Sequence, residues 1–205
     1  MIKCQSQEKI TKQAENLCLL YHASRKQSGQ NNDNSEKFIL KANELRDKNS
    51  SKFKIYRLSE AFYLSNYGRY LSQDRNKRKQ AQPLLMQSKS IYEEETPKSD
   101  STFDQGRILV QMGHNAKRKI IIREQAIEYY REAICFRSQY YGKHFLTAFA
   151  HKELADYYLS IKDFIEAEKS YMEAIKVLEN MEMTAQKEAV PVYKNFGWCC
   201  EKRDN

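Results

Sequence analysis

The 205-residue sequence predicts an all-α fold, a right-handed superhelical solenoid of antiparallel helix pairs. Three observations lead there. A short signature of a large apolar residue, a small one, two spacers and a further apolar or small residue returns four times, as Tyr67-Gly68 with Leu71, Met112-Gly113 with Ala116, Leu154-Ala155 with Tyr158, and Phe196-Gly197 with Cys200. Its small members Gly68, Gly113, Ala155 and Gly197 lie 45, 42 and 42 positions apart, a period that marks a repeat array. Downstream of the first three, Ala81-Leu85-Ser88, Ala126-Tyr130-Ala133 and Ala167-Tyr171-Ala174 repeat a second pattern, and no segment of comparable length alternates with the period of a strand.

Each element follows from local pattern. Ala14, Leu17, Cys18 and Tyr21 recur at helical spacing, and Ile39 with Ala42 can sit on a following helix. Residues 1–50 therefore read as a degenerate or lead-in helical pair, with Gln27–Ser35 as a polar loop between its helices. Units follow at about 58–96, 103–141 and 145–181, and a half-unit at 184–205. In the third unit, Ile165, Ala167, Tyr171, Ala174, Ile175 and Leu178 form one face, while Glu166, Glu168, Lys169, Glu173 and Lys176 fill the other. Pro83 falls in the first or second turn of its helix, Pro191 in the first turn of the last, and Thr96-Pro97 breaks the chain after Glu93-Glu94-Glu95.

A single helix pair cannot bury its apolar face, so neighbours must stack. The last half-unit leaves Tyr193, Phe196 and Cys200 without a second helix. A continuation of the chain in a longer parent, a second copy, or an irregular cap can supply the cover. The reading favours a segment of something larger and keeps self-association through this unpaired helix as an alternative.

Composition narrows the class. Charged residues make up 30%, mean hydropathy is −0.84, and 14 Tyr and nine Phe supply the apolar bulk. No apolar run approaches the roughly 20 residues that span a bilayer, and the first residues lack a secretory h-region. Five cysteines without framework spacing suit a reducing compartment, so a cytoplasmic location is expected.

Charge is uneven. Residues 1–100 carry 19 Lys/Arg against 12 Asp/Glu, a net of +7, and residues 101–205 carry 16 against 15, a net of +1. The excess gathers in Arg75, Lys77, Arg78 and Lys79 and in Lys117, Arg118 and Lys119, both between the two helices of a unit. Such an edge can meet phosphates or an acidic partner, or it can simply solvate long turns.

The double signature resembles the tetratricopeptide repeat, best over 148–180, well over 106–139 and less over 61–93. The spacing near 42 exceeds the usual period of about 34, and with the link Tyr141-Gly142-Lys143-His144 it is similar to the kinesin light chain subclass. Similar arrays also stand behind the nucleotide-binding modules of large signalling ATPases. The resemblance implies that the first helix of each pair lines a concave groove that holds an extended peptide. It places Asn66 and Arg69, Gln111 and His114, Lys152 and Glu153, and Lys194, Asn195 and Trp198 along that groove. Asn66, Gln111, Glu153 and Asn195 each stand two residues before the small residue, where carboxamides can grip main chain. Ordinary solvated helix surface is the alternative for all of these. Glu153 and Asp156 place negative charge where a clamp for a terminal carboxylate would need none.

Catalytic chemistry has no residue constellation behind it. The six glycines form no phosphate loop, and His22, His114, His144 and His151 form no metal-ligand cluster. His151 reads as a packing residue, His144 as a connector contact, and Cys199-Cys200 as no redox motif. The function expected is non-catalytic protein recognition without a cofactor, as one arm of a larger scaffold or signalling protein. The alternative is RNA or other polyanion binding through the basic edge and groove, as some interferon-induced tetratricopeptide proteins bind RNA.

Overall fold

The computed structural model describes residues 2–28, 33–53, 56–74, 76–95, 102–116, 123–184, 186–187 and 189–203. Among them the chain forms helices α1 (Ile2–Ser28), α2 (Asp33–Lys48), α3 (Ser50–Phe53), α4 (Arg57–Leu71), α5 (Arg78–Glu95), α6 (Thr102–Ala116), α7 (Arg123–Tyr141), α8 (Phe145–Ser160), α9 (Phe164–Asn180) and α10 (Val190–Arg203), and no strand. They fall into two compact units, 1–101 and 102–205.

In the first unit α1 pairs with α2 and α4 with α5, and α4 packs against both members of the first pair. The small residues of the signature set how close a pair can come. A Cβ on Gly68 would stand 3.0 Å from the Leu85 side chain and 3.3 Å from the Ala81 carbonyl, so the two halves of the signature meet face to face. The Ser88 hydroxyl then donates to the Ala61 carbonyl at 2.6 Å, which ties the far end of α5 to the start of α4 and makes the pair antiparallel. Tyr63, Tyr67 and Tyr70 follow one another along α4 as a stacked ladder, with ring centroids 5.7 and 6.0 Å apart. Tyr21 of α1 meets its end edge-on, and the Tyr63 hydroxyl donates to Asn43 of α2. Burial pushes the Tyr63 phenol far above its ordinary range.

The polar loop expected over Gln27–Ser35 is shorter than that. Helix α1 runs through Ser28 and α2 begins at Asp33, where Ser35 is buried. A polar stretch reads as a loop when it lacks apolar residues, but packing of Ala14, Cys18 and Tyr21 against Ile39 and Ala42 suffices to carry both helices into it.

In the second unit the pairs α6–α7 and α8–α9 stack in order, and α10 packs on α9 and α8. A continuous core runs through Tyr130, Tyr157, Tyr171, Leu178 and Cys199, with Ala126, Ala133, Ala155, Ala167 and Ala174 at the close approaches. At Gly113 a Cβ would stand 2.7 Å from the Tyr130 ring, closer than real Cβ atoms come. Gly106 serves the same end one helix turn pair earlier. A Cβ there would lie 2.9 Å from Nε of the buried Arg137, whose Nη1 donates to the Leu146 carbonyl of α8 at 2.7 Å. Burial lowers the Arg137 guanidinium to about 10.

The connectors are capped by their own residues. Gly142 takes the left-handed conformation (φ +59°) after α7, and the His144 ring accepts the Leu146 amide at the start of α8. Asp163 caps α9 through the Glu166 amide. Pro191 stands in the first turn of α10. Pro83, the sixth residue of α5, is exposed and removes one backbone hydrogen bond there.

Two substitutions test the close approach. Gly113→Ala adds a methyl to a full space against an aromatic ring and should destabilise the protein in a urea titration, although alanine is the better helix former. Tyr130→Ala should cost about 3–5 kcal/mol in the same titration by emptying the centre of the α6–α7 pair.

Candidate functional site: a polar row on α6, α8 and α10

The first helices of the second unit are joined by a row of side chains with a fixed register. His114 follows Gly113 and meets Glu153, two residues before Ala155, with Nε2 to Oε2 at 2.5 Å. Asp156 follows Ala155 and accepts from Asn195, two residues before Gly197, at 2.9 Å. In both cases the residue after one small residue meets the residue two before the next, 39 positions on. Lys152 joins the two contacts, reaching Glu153 Oε1 at 3.1 Å and Asp156 Oδ2 at 2.6 Å. The Tyr171 hydroxyl of α9 donates to the same Asp156 oxygen that Asn195 uses.

Charge within this row is closed on itself. Burial works to raise the Glu153 carboxyl, but the hydrogen bond and charge of His114, with Lys152, outweigh it and hold the group at about 2. Burial likewise works against the Lys152 ammonium, and Glu153 with Asp156 overcomes it and raises the group. The Tyr171 phenol is pushed up by its burial and by its bond to Asp156. The row can therefore present donors and acceptors to a ligand without presenting a bare charge.

The residues expected along the groove land differently. His114, Lys152, Glu153 and Asn195 come together in the row, and Gln111 lies half-buried one turn before His114 on α6. Lys194 is exposed, and Trp198 is 49% exposed. Asn66 departs from the expectation. It is fully buried, and its amide donates to the Phe62 carbonyl of its own helix at 2.7 Å, so it offers no carboxamide to a ligand. Arg69, in the same unit, is half-buried. Sequence reasoning placed Glu153 and Asn195 correctly on the first helices but read them as ligand contacts. Their link to the preceding helix is visible in the sequence only as complementary residues at a separation of 39.

On the basic edge, Lys77 and Lys79 are exposed at the head of α5, and Arg78 turns back to donate from Nε to the Ser72 carbonyl at 3.1 Å. Lys77 lies 3.7 Å from Asp74 and 5.8 Å from the centre of the Tyr70 ring. Arg75, Lys117, Arg118 and Lys119 lie outside the described residues. Between α7 and α9, over α8, a half-open cavity of about 340 Å³ is lined by Cys135, His151, Leu154 and Tyr158 among others. Burial lowers the His151 imidazole below its usual value. Among the described residues no helix is long and apolar enough to cross a membrane, and no group of three or more His, Cys, Asp and Glu is placed to hold a metal.

This arrangement of antiparallel pairs is a tetratricopeptide-like helical repeat in fold. The chain is similar to the crystal structure of a signal transduction ATPase with numerous domains, a protein with a tetratricopeptide repeat sensor from Pyrococcus horikoshii. The two share 18% identity at a TM-score of 0.63, over 89% of this chain and 26% of that one, so the likeness is one of fold. This chain thus spans about a quarter of that protein's length. No protein-family model matches the sequence, and no curated protein matches it.

The depressed Glu153 group makes a pH-dependent contribution with a definite sign. A carboxyl held at about 2 when folded, against 4.5 ordinarily, stabilises the fold above pH 4.5, and that contribution is lost as pH falls towards 2. Glu153→Gln should remove this pH-dependent part, so that its destabilisation of about 1.5–3 kcal/mol at pH 7 shrinks on acidification. Parallel urea titrations of both proteins from pH 7 to 3 check it; a constant difference between them refutes the pairing.

Proposed function

We propose that the chain is a non-catalytic protein-recognition module that holds an extended peptide along α6, α8 and α10. The observation that supports this most is the row from His114 to Asn195. It keeps carboxamides and paired charges in register on successive first helices, where main chain needs both donors and acceptors. Gln111 and Asn195 are its neutral hydrogen-bonding members and the side chains that would grip peptide backbone. The spacing near 42 supports a kinesin light chain-like subclass. The structural neighbour's repeat segment is a sensor, which supports a role as the recognition segment of a larger signalling or scaffold protein, and five cysteines without framework spacing support the cytoplasm.

The experiment is selection of peptides on the immobilised protein, followed by titration of the selected peptide by fluorescence anisotropy. Gln111→Ala combined with Asn195→Ala should weaken binding about tenfold or more, since each lost hydrogen bond is worth about 1 kcal/mol. Binding should change little between low and physiological salt, and Lys77→Glu with Lys79→Glu should leave it intact. If no peptide is selected, and the protein instead binds single-stranded RNA in a manner that collapses with salt and with the Lys77 and Lys79 changes, the basic edge is the functional surface and this reading fails.

A further inference from the structure

One face of α10 is built for something that the chain itself does not place there. Gly197 sits in the middle of this helix, where glycine weakens helical structure. At Gly68 and Gly113 the absent side chain is required, because Leu85 and Tyr130 occupy its space. At Gly197 a Cβ would meet nothing within 4 Å. No contact among the described residues accounts for this glycine.

The neighbouring position is as informative. In α6 and α8 the residue after the small one, His114 or Asp156, bonds the first helix of the next pair. In α10 that position is Trp198, 49% exposed, and Val190 two turns earlier is 58% exposed. The position that carries stacking contacts elsewhere in the unit here carries a large aromatic surface, the kind of residue that most often anchors an interface.

Charge then selects the occupant. Lys194, Gly197, Trp198 and Glu201 follow at i, i+3, i+4 and i+7, so they form one exposed stripe along the helix. The stripe is symmetric about the point between Gly197 and Trp198, with a cation at one end and an anion at the other. A two-fold axis through that point, running two α10 helices antiparallel, brings Lys194 opposite Glu201 of the second copy, and the reverse. The glycines lie at the crossing, where small residues let two helices approach closely, and each Trp198 is covered by the facing helix.

We propose that this stripe is a self-association site, and that a second copy of the same chain packs antiparallel on α10 about Gly197 and Trp198. The row on α6 and α8 is not needed for it, so this pairing and peptide recognition are separate properties.

Sedimentation velocity from low to high micromolar concentration tests it, with fluorescence of Trp198, the single tryptophan, recorded on the same samples. The expected result is a reversible dimer whose formation moves the emission to shorter wavelength. Lys194→Glu should raise the dissociation constant about tenfold, and Lys194→Glu with Glu201→Lys should restore it by exchanging the two charges. Gly197→Leu should leave far-UV circular dichroism unchanged and abolish the dimer. A chain that stays monomeric throughout, with emission independent of concentration, overturns the proposal. So does a dimer that survives Gly197→Leu, or one whose affinity the double exchange fails to recover.

Discussion

Close approach between the two helices of a pair is the constraint on which the rest of the structure depends. Tyr130 lies where a Cβ of Gly113 would be, and Leu85 stands almost as near to Gly68. Once the first helix gives up its side chain, the second lays a large ring or a leucine directly on backbone, and packing forces follow from the short distance. Every other regularity derives from that spacing. The alanines that flank the ring keep the crossing tight, and the pair then presents a first-helix face with a constant offset from the next pair.

The constant offset explains why polar contacts recur. A repeat of 42 residues with neighbouring first helices in register brings a residue after one small position beside a residue before the next. His114 with Glu153 and Asp156 with Asn195 are two instances of one geometric relation. Lys152 lies between them and neutralises both acids, which is why buried carboxylates are tolerated there. Arg137 plays a related part on the other side of α7, linking that helix to the start of α8 through the space that Gly106 leaves. The polar row is thus part of what aligns the pairs as well as the surface offered to a ligand.

The two ends of the signature behave differently because burial differs. Gly113 is required by Tyr130, whereas Gly197 faces open space, and the same residue type in the same register carries two meanings. Likewise His114, Asp156 and Trp198 share one position, yet the first two are held by a following helix and the third is exposed. A terminal pair has no neighbour to satisfy these positions, so its composition shifts from hydrogen-bonding to apolar, with charges flanking it.

The sequence by itself determined the helical class, the pairing and the positions of the second-helix signature. Small residues and rings at fixed spacing are local facts, and helix periodicity needs no tertiary information. It also located His114, Lys152, Glu153 and Asn195 on first helices. What only the tertiary structure decided is what those residues touch. Asn66 and Asn195 are equivalent in the pattern, yet one is buried against its own helix and the other reaches Asp156 across to α8. The extent of α1 and α2 into a polar stretch was decided in the same way, by packing of Ala14, Cys18 and Tyr21 on Ile39 and Ala42. Partner choice depends on distances of a few ångströms between elements far apart in the chain, and a pattern of residue types along one dimension does not contain them.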